Sequence, residues 1–146
     1  MKTGKYMIYS FYSKENNTYE KEFFLPDENL QRKLYRLSKI ASYKEKGSQI
    51  AGVLYVDKES YLNARLNATV EDYIYEDQME EEVRKKFRRG QIDKDVYIET
   101  LGLIQDFKWT CLKKINTQIH RMVREDFDVE NEIALQLYDQ YLQAIL

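Results

Sequence analysis

Residues 93–124 decide the fold of this chain, and they read DKDVYIETLGLIQDFKWTCLKKINTQIHRMVR. Apolar residues recur there every three or four positions, which predicts one amphipathic helix of about 45 Å at about 1.5 Å per residue. Asp93 suits the N-cap, and basic residues gather near the C-terminus, where the helix dipole favours them. The face expected to be buried comprises Tyr97, Leu101, Ile104, Cys111, Ile115, Ile119 and Met122. A bundle of helices is therefore expected around this central helix.

The N-terminal part has the pattern of strands with one helix. Residues 5–13 and 18–25 are rich in aromatic and β-branched residues and flank a turn-prone segment, so they predict a hairpin. Residues 50–56, IAGVLYV, predict a third strand. Between these strands, leucine and isoleucine recur after Pro26 with helical spacing, which predicts a helix that ends before Gly47 and packs on the sheet.

The predicted fold class is thus α+β. It has an N-terminal three-stranded sheet with one packed helix, in ββαβ order, followed by a C-terminal helical bundle built on the long central helix at about residues 93–124. We expect a small α/β lobe over residues 1–57 and a helical lobe over residues 58–146, together forming one compact unit.

Two further helices are expected on either side of the central one. Residues 58–89 have helical spacing, but their apolar residues change face, which predicts a kink or break near residues 76–78. An alternative makes residues 69–75, TVEDYIY, a fourth strand. The last helix is expected to begin after an Asp128 cap. Its predicted apolar face carries Val129, Ile133, Leu137, Tyr141 and Ile145, and its apolar end is expected to be docked.

Composition excludes several kinds of site. One cysteine and one histidine exclude an intramolecular disulfide and the usual zinc sites within one chain. The five glycines are scattered and form no phosphate-binding loop, so we expect no cofactor and no metal. Asp57, at the end of the third strand, fits a helix N-cap better than a Mg²⁺ ligand. No apolar run is long enough for a membrane span, and we expect a cytoplasmic protein.

Two individual residues of the central helix carry expectations of their own. Lys108 interrupts the apolar face, so it should either extend to solvent or meet a carboxylate from a neighbouring helix. Trp109 lies on a second side, where it should be covered by the last helix or lie in a homodimer contact through the long helix.

Two charged stretches are the candidates for function. Residues 71–82, EDYIYEDQMEEE, hold seven carboxylates and no basic residue, and residues 84–89, RKKFRR, hold five basic residues. Glu80, Glu81 and Glu82 can each pair with a base four positions later, which leaves the earlier acids without local partners. The candidate partner-binding residues are Glu71, Asp72, Tyr73, Tyr75, Glu76 and Asp77. The alternative nucleic-acid-binding residues are Arg84, Lys85, Lys86, Arg88 and Arg89.

The expected function is that of a non-enzymatic binding protein that acts by protein–protein contact. Acidic groups with interleaved tyrosines can offer a basic groove what a nucleic-acid backbone offers, so the expected partner is a nucleic-acid-handling protein. The abundance of Tyr, Lys, Asn and Ile is typical of AT-rich genomes, which favours an inhibitor or regulator from a phage or mobile element. The first alternative is a nucleic-acid-binding regulator that uses residues 84–89. The second is an enzyme whose site is completed by oligomerisation.

Overall fold

A computed structural model describes residues 6–13, 18–26 and 49–146, which form a three-stranded antiparallel sheet followed by three helices. The strands are β1 (Tyr6–Ser13), β2 (Thr18–Phe24) and β3 (Gln49–Val56), and the helices are α1 (Lys58–Arg88), α2 (Lys94–Arg124) and α3 (Glu132–Ile145). The predicted α+β class with a helical C-terminal part is confirmed. The helix predicted after Pro26 lies outside the described residues. The chain divides into two compact units, Met1–Tyr61 and Leu62–Leu146.

In the first unit, the sheet has the order β2-β1-β3, and both pairings are antiparallel. The β1–β2 register pairs Ile8 with Phe23, and a register shift at Ser10 bends the pairing of β1 with β3. Tyr61, from the start of α1, packs against Tyr6 and Phe23, with ring centroids 4.8 and 5.8 Å away. Successive side chains alternate along a strand, so Phe24, which follows the partner of Ile8, points to the face opposite Ile8. Both side chains are buried.

Local signals in the sequence explain where α1 and α2 begin and end. The Asp57 carboxylate accepts a hydrogen bond from the Ser60 backbone N–H at 2.8 Å, so Asp57 is the N-cap that its position predicted. Gly90, at φ 71°, takes the left-handed conformation that ends α1. Asp93 caps α2 as predicted and accepts from the Val96 N–H at 2.9 Å.

In the second unit, α1 and α2 form an antiparallel pair. Phe87 stacks on Tyr97 near the connecting turn, Asp77 meets Lys108 midway, and the Gln118 side chain donates to the Thr69 hydroxyl further on. The facing residues alternate steps of four and three on both helices, which is the heptad spacing of a coiled-coil seam. They are Leu62, Leu66, Thr69, Tyr73, Glu76, Glu80, Val83 and Phe87 on α1, and Tyr97, Leu101, Ile104, Lys108, Cys111, Ile115, Gln118 and Met122 on α2.

This seam corrects two expectations about α1. Of the kink or break expected near residues 76–78, the break is wrong because the helix is continuous there. Residues 69–75 are helical, so the strand alternative is wrong too. The expectation rested on apolar residues that change face along the helix, and Met79 is one of them. Glu76 and Glu80 instead occupy the seam there, and Met79 is exposed.

The last helix is rotated relative to its prediction. Asn131, not Asp128, is the N-cap, and its side chain accepts from the Ala134 N–H at 3.0 Å. Ala134 and Leu137 are buried, whereas Ile133 is exposed. The end at Ile145 and Leu146 is also exposed, so the expected docking of this terminus is wrong. None of the described helices is long and apolar enough to cross a membrane.

Candidate partner-binding surface on α1

A charged cluster lies in the middle of the α1–α2 seam. Lys108 Nζ lies 2.6 Å from Asp77 Oδ1 and 3.7 Å from Glu80 Oε2, and it is 5.1 Å from the centre of the Tyr73 ring. Burial alone lowers the pKa of Lys108, but the hydrogen bond to Asp77 and the nearby negative charges outweigh it and raise that pKa. Of the two alternatives predicted for Lys108, the structure shows the contact with a carboxylate from a neighbouring helix.

This cluster divides the six candidate residues into an inward and an outward group. Tyr73 is buried under Lys108, Asp77 is held by the lysine, and Glu76 is half-buried in the seam. Glu71, Asp72 and Tyr75 are exposed. Asp77 has no local partner on α1, as expected, but it pairs with a lysine 31 residues away in the sequence. Tyr73 is buried, and Asp77 is paired although its side chain is 59% exposed, so both are less available to another protein than Glu71, Asp72 and Tyr75 are.

Two of these exposed residues, Glu71 and Tyr75, lie on the side of α1 away from the seam, whereas Asp72 lies at the edge of the helix pair. We call this side the outer face, and it comprises Glu71, Ile74, Tyr75, Gln78, Glu81 and Glu82. Tyr75 is 58% exposed. A shallow groove of about 440 Å³ runs beside it, lined also by Gln78, Met79, Glu81, Glu82 and Lys85. Sequence analysis missed Ile74 and Gln78, although their helical spacing to Glu71 could have identified them.

A second groove continues the outer face toward α3. Its volume is about 580 Å³, and Val70, Ile74 and Ile133 supply its apolar lining. Among the residues that the structure describes, its charged lining consists of Glu71, Glu130 and Glu132, with no basic side chain. Glu132 also has a structural role, since an acidic residue in the first turn stabilises the N-terminus of α3. The face from Glu71 to Glu82 thus combines apolar contact area with negative charge.

The electrostatics of Asp72 fit a position at the edge of the helix pair. Partial burial raises the pKa of Asp72, Lys114 on α2 opposes that effect, and the neighbouring Glu71 adds to it. Burial likewise raises the pKa of the Cys111 thiol, with the negative charge of Asp72 contributing. Cys111 is buried, as predicted, and a thiol in such surroundings is a poor nucleophile.

The basic run is partly used inside the molecule. The Arg84 guanidinium lies 3.8 Å from Glu80 and donates to the Tyr97 hydroxyl at 3.2 Å. Arg88 lies 3.8 Å from Glu81. Phe87, the aromatic residue within the run, stacks on Tyr97 with a centroid distance of 4.2 Å. Lys85, Lys86 and Arg89 complete the predicted nucleic-acid-binding set. Lys85 and Arg89 lie four residues apart on one side of the helix, and Lys85 lines the groove beside Tyr75.

On the other side of α2, α3 contacts Trp109 and His120. Tyr141 packs on Trp109 with a centroid distance of 5.1 Å, so the last helix covers Trp109 in part and leaves it 38% exposed, which is the first of the two predicted alternatives. A 2.9 Å hydrogen bond joins the Tyr138 hydroxyl to His120 Nε2. The described residues contain no group of three or more His, Cys, Asp or Glu side chains arranged to hold a metal ion.

Comparison with known proteins returned no match to a family model, a curated protein or a solved structure.

Proposed function

We propose that this protein is a non-catalytic binding protein that contacts a basic surface of a protein partner through the outer face of α1. The proposal rests on Tyr75, which is exposed beside carboxylates. Glu71 and Glu82 form no ion pair with any residue that the structure describes, so their charge is available to a partner. Tyrosine is enriched at interface hot spots because its ring offers a large apolar area and its hydroxyl a polar contact.

The chemistry of this face supports a partner with lysine or arginine around an apolar recess. Carboxylates at the rim would speed the encounter with such a partner and fix its orientation, while Ile74 and Tyr75 would supply the buried contact. A groove that holds nucleic acid has this character, so the partner we propose is a nucleic-acid-handling protein. We further propose that the contact is inhibitory or regulatory, that it occurs in the cytoplasm, and that the protein comes from a phage or mobile element, as its composition of 13 tyrosines in 146 residues favours.

The test compares two variants with matched charge changes. In the first, Glu71→Gln, Tyr75→Ser and Glu82→Gln alter the outer face and spare Asp77, because its loss would leave Lys108 without its closest partner. In the control, Glu99→Gln, Asp106→Asn and Ile98→Ser alter exposed positions of α2. Each protein is used to capture partners from the source cell, and the dissociation constant for a captured partner is measured at low and high salt.

We expect the outer-face variant to bind at least about tenfold more weakly, which corresponds to about 1.4 kcal/mol, and to lose most of the salt dependence. The control variant should bind as the wild type does. Equal affinity of both variants, with unchanged salt dependence, would show that the outer face is only solvated surface. If the captured partner is a nucleic acid instead of a protein, and if Lys85→Gln with Arg89→Gln abolishes its capture, the nucleic-acid-binding alternative is favoured.

A further inference from the structure

The α1–α2 pair has two flanks, and α3 covers only one of them. On the covered flank, Val70 of α1 and Leu112 and Ile119 of α2 are buried. The opposite flank carries large apolar side chains that remain exposed, and Leu103 is 66% exposed. We call this the open flank and define it by Met79 of α1 and by Val96, Leu103 and Phe107 of α2.

The register of the pair brings these four residues together. Asp72 and Lys114 interact electrostatically across the pair, so they lie at the same level on the same flank. Met79 lies seven residues after Asp72, and Phe107 lies seven residues before Lys114. Since seven residues return to the same side of a heptad helix, Met79 must face Phe107. Val96 and Leu103 extend the same stripe along α2.

We propose that the open flank is the interface of a homodimer in which two α1–α2 pairs pack face to face as a four-helix arrangement. Its apolar residues have the heptad spacing that lets the side chains of one helix pair fit between those of another. Homodimers use the same surface on both subunits, so the surface must be complementary to itself. The open flank meets this condition in its charges as well as in its apolar stripe.

The charges beside Met79 favour a second copy over another occupant. Asp72 lies seven residues before Met79 and Lys86 seven residues after it, so α1 carries opposite charges at the two ends of the stripe, with Lys114 of α2 close to Asp72. A two-fold axis through Met79, perpendicular to the helices, places Asp72 of one copy opposite Lys86 of the other. A two-fold axis parallel to the helices places Asp72 opposite Lys114. Both arrangements form opposite-charge pairs, whereas a wholly acidic partner would meet the like charge of Asp72 and a wholly basic partner would meet Lys86 and Lys114.

This interface lies beyond the proposed function and does not depend on it. The two surfaces adjoin at Met79, which also lines the groove beside Tyr75, but none of the four open-flank residues belongs to the outer face, and loss of the homodimer leaves Glu71 and Tyr75 accessible. It also differs from a homodimer through Trp109, which lies on the side of α2 that α3 contacts.

The experiment measures the molar mass in solution by light scattering over a series of concentrations. The wild type should have twice the chain mass of 17.6 kDa at high concentration. Leu103→Glu should have the mass of a single chain, because dimerisation would bury its charge, and its dimer dissociation constant should rise more than about a hundredfold. Ile98→Glu is the matched control, since Ile98 is also on α2, is 56% exposed and lies on the other flank. It should dimerise as the wild type does.

A charge exchange then identifies the axis. Asp72→Lys should weaken the dimer, and adding Lys86→Asp should restore it if the axis passes through Met79, while adding Lys114→Asp should restore it if the axis is parallel to the helices. Far-ultraviolet circular dichroism checks that each variant is folded, and Phe107→Ser replaces Leu103→Glu if that variant is not. A wild type that keeps the single-chain mass at every concentration, or a dimer that is abolished by Ile98→Glu and not by Leu103→Glu, would overturn the proposal.

Discussion

Replacing Lys108 with methionine tests whether the charged cluster holds the middle of the α1–α2 pair together. The Lys108 side chain is only 15% exposed and Glu80 only 18%, so this ion pair is poorly solvated. At 3.7 Å and an effective dielectric constant of about 20, the attraction between these two charges is about 4 kcal/mol before desolvation is subtracted. Methionine fits the same space but leaves the carboxylates of Glu80 and Asp77 without their cation.

The expected loss is smaller than that for a fully buried pair. Removing one partner of a buried ion pair costs about 3–5 kcal/mol. Here Asp77 is 59% exposed and can be hydrated, and Glu80 keeps Arg84 at 3.8 Å. We therefore expect Lys108→Met to lower the free energy of unfolding by about 1–3 kcal/mol. Adding Glu80→Met should recover most of that loss, since replacing both charges of a buried pair by apolar groups is often neutral.

Urea unfolding of the variants supplies the measurement, with Lys113→Met as the control because Lys113 is an exposed lysine of the same helix. The control should change the free energy of unfolding by less than about 0.5 kcal/mol. If Lys108→Met is as stable as the wild type, or if adding Glu80→Met makes the loss larger, the cluster does not stabilise the pair and our reading of its energetics is wrong.

The same cluster predicts how stability depends on pH. The folded pKa of Lys108 is raised, so its stabilising contribution is fully present below the ordinary lysine pKa and is lost as the pH rises through the higher folded value. The difference in unfolding free energy between the wild type and Lys108→Met should therefore shrink in strongly alkaline solution. A difference that stays constant would mean that the charge of Lys108 is not what stabilises the fold.

Four other predictions concern the helix pair and the turns that follow its helices. Cys111 should resist iodoacetamide in the folded protein and react on unfolding in urea, because burial raises its pKa, and mass spectrometry after labelling checks this. Thr69→Val should cost about 1–2 kcal/mol by leaving the Gln118 amide without its acceptor, and adding Gln118→Leu should recover most of it in urea unfolding. Gly90→Ala should cost about 1 kcal/mol because φ is 71° there, whereas Asp126→Gly, at φ 60°, should raise the thermal midpoint.

The sequence was most informative where local rules act alone. The start of α2 follows from the Asp93 cap, and its buried face follows from apolar spacing, so both were predicted correctly. The last helix was predicted in the wrong rotation for a geometric reason. Residues at strict four-residue steps, such as Ile133, Leu137 and Tyr141, drift by about 40° per step around a helix with 3.6 residues per turn. They cannot all lie on one buried face, and small Ala134 takes the buried place instead.

The seam of α1 could not be predicted from its own residues. Glu76 and Glu80 look like solvated charges in sequence, and Met79 looks like a core residue. A lysine on another helix makes a carboxylate tolerable in the seam, and Lys108 is 28 positions beyond Glu80 in the chain. Heptad spacing on both helices contained the necessary information, but it becomes a signal only when the two helices are aligned as an antiparallel pair.

The alignment of the two helices also changes how the acidic stretch must be read for function. Seven carboxylates in twelve residues suggest one continuous binding surface, yet their charges serve different purposes. Asp77 and Glu80 compensate Lys108, so replacing them alters stability whether or not a partner exists. Glu71 and Glu82 compensate no described cation, so replacing them should leave the free energy of unfolding nearly unchanged. Any effect of these replacements should therefore be on the affinity for a partner. A loss of binding has functional meaning only when the replaced acids belong to this second group, and Tyr75 is exposed on the same side of α1 as they are.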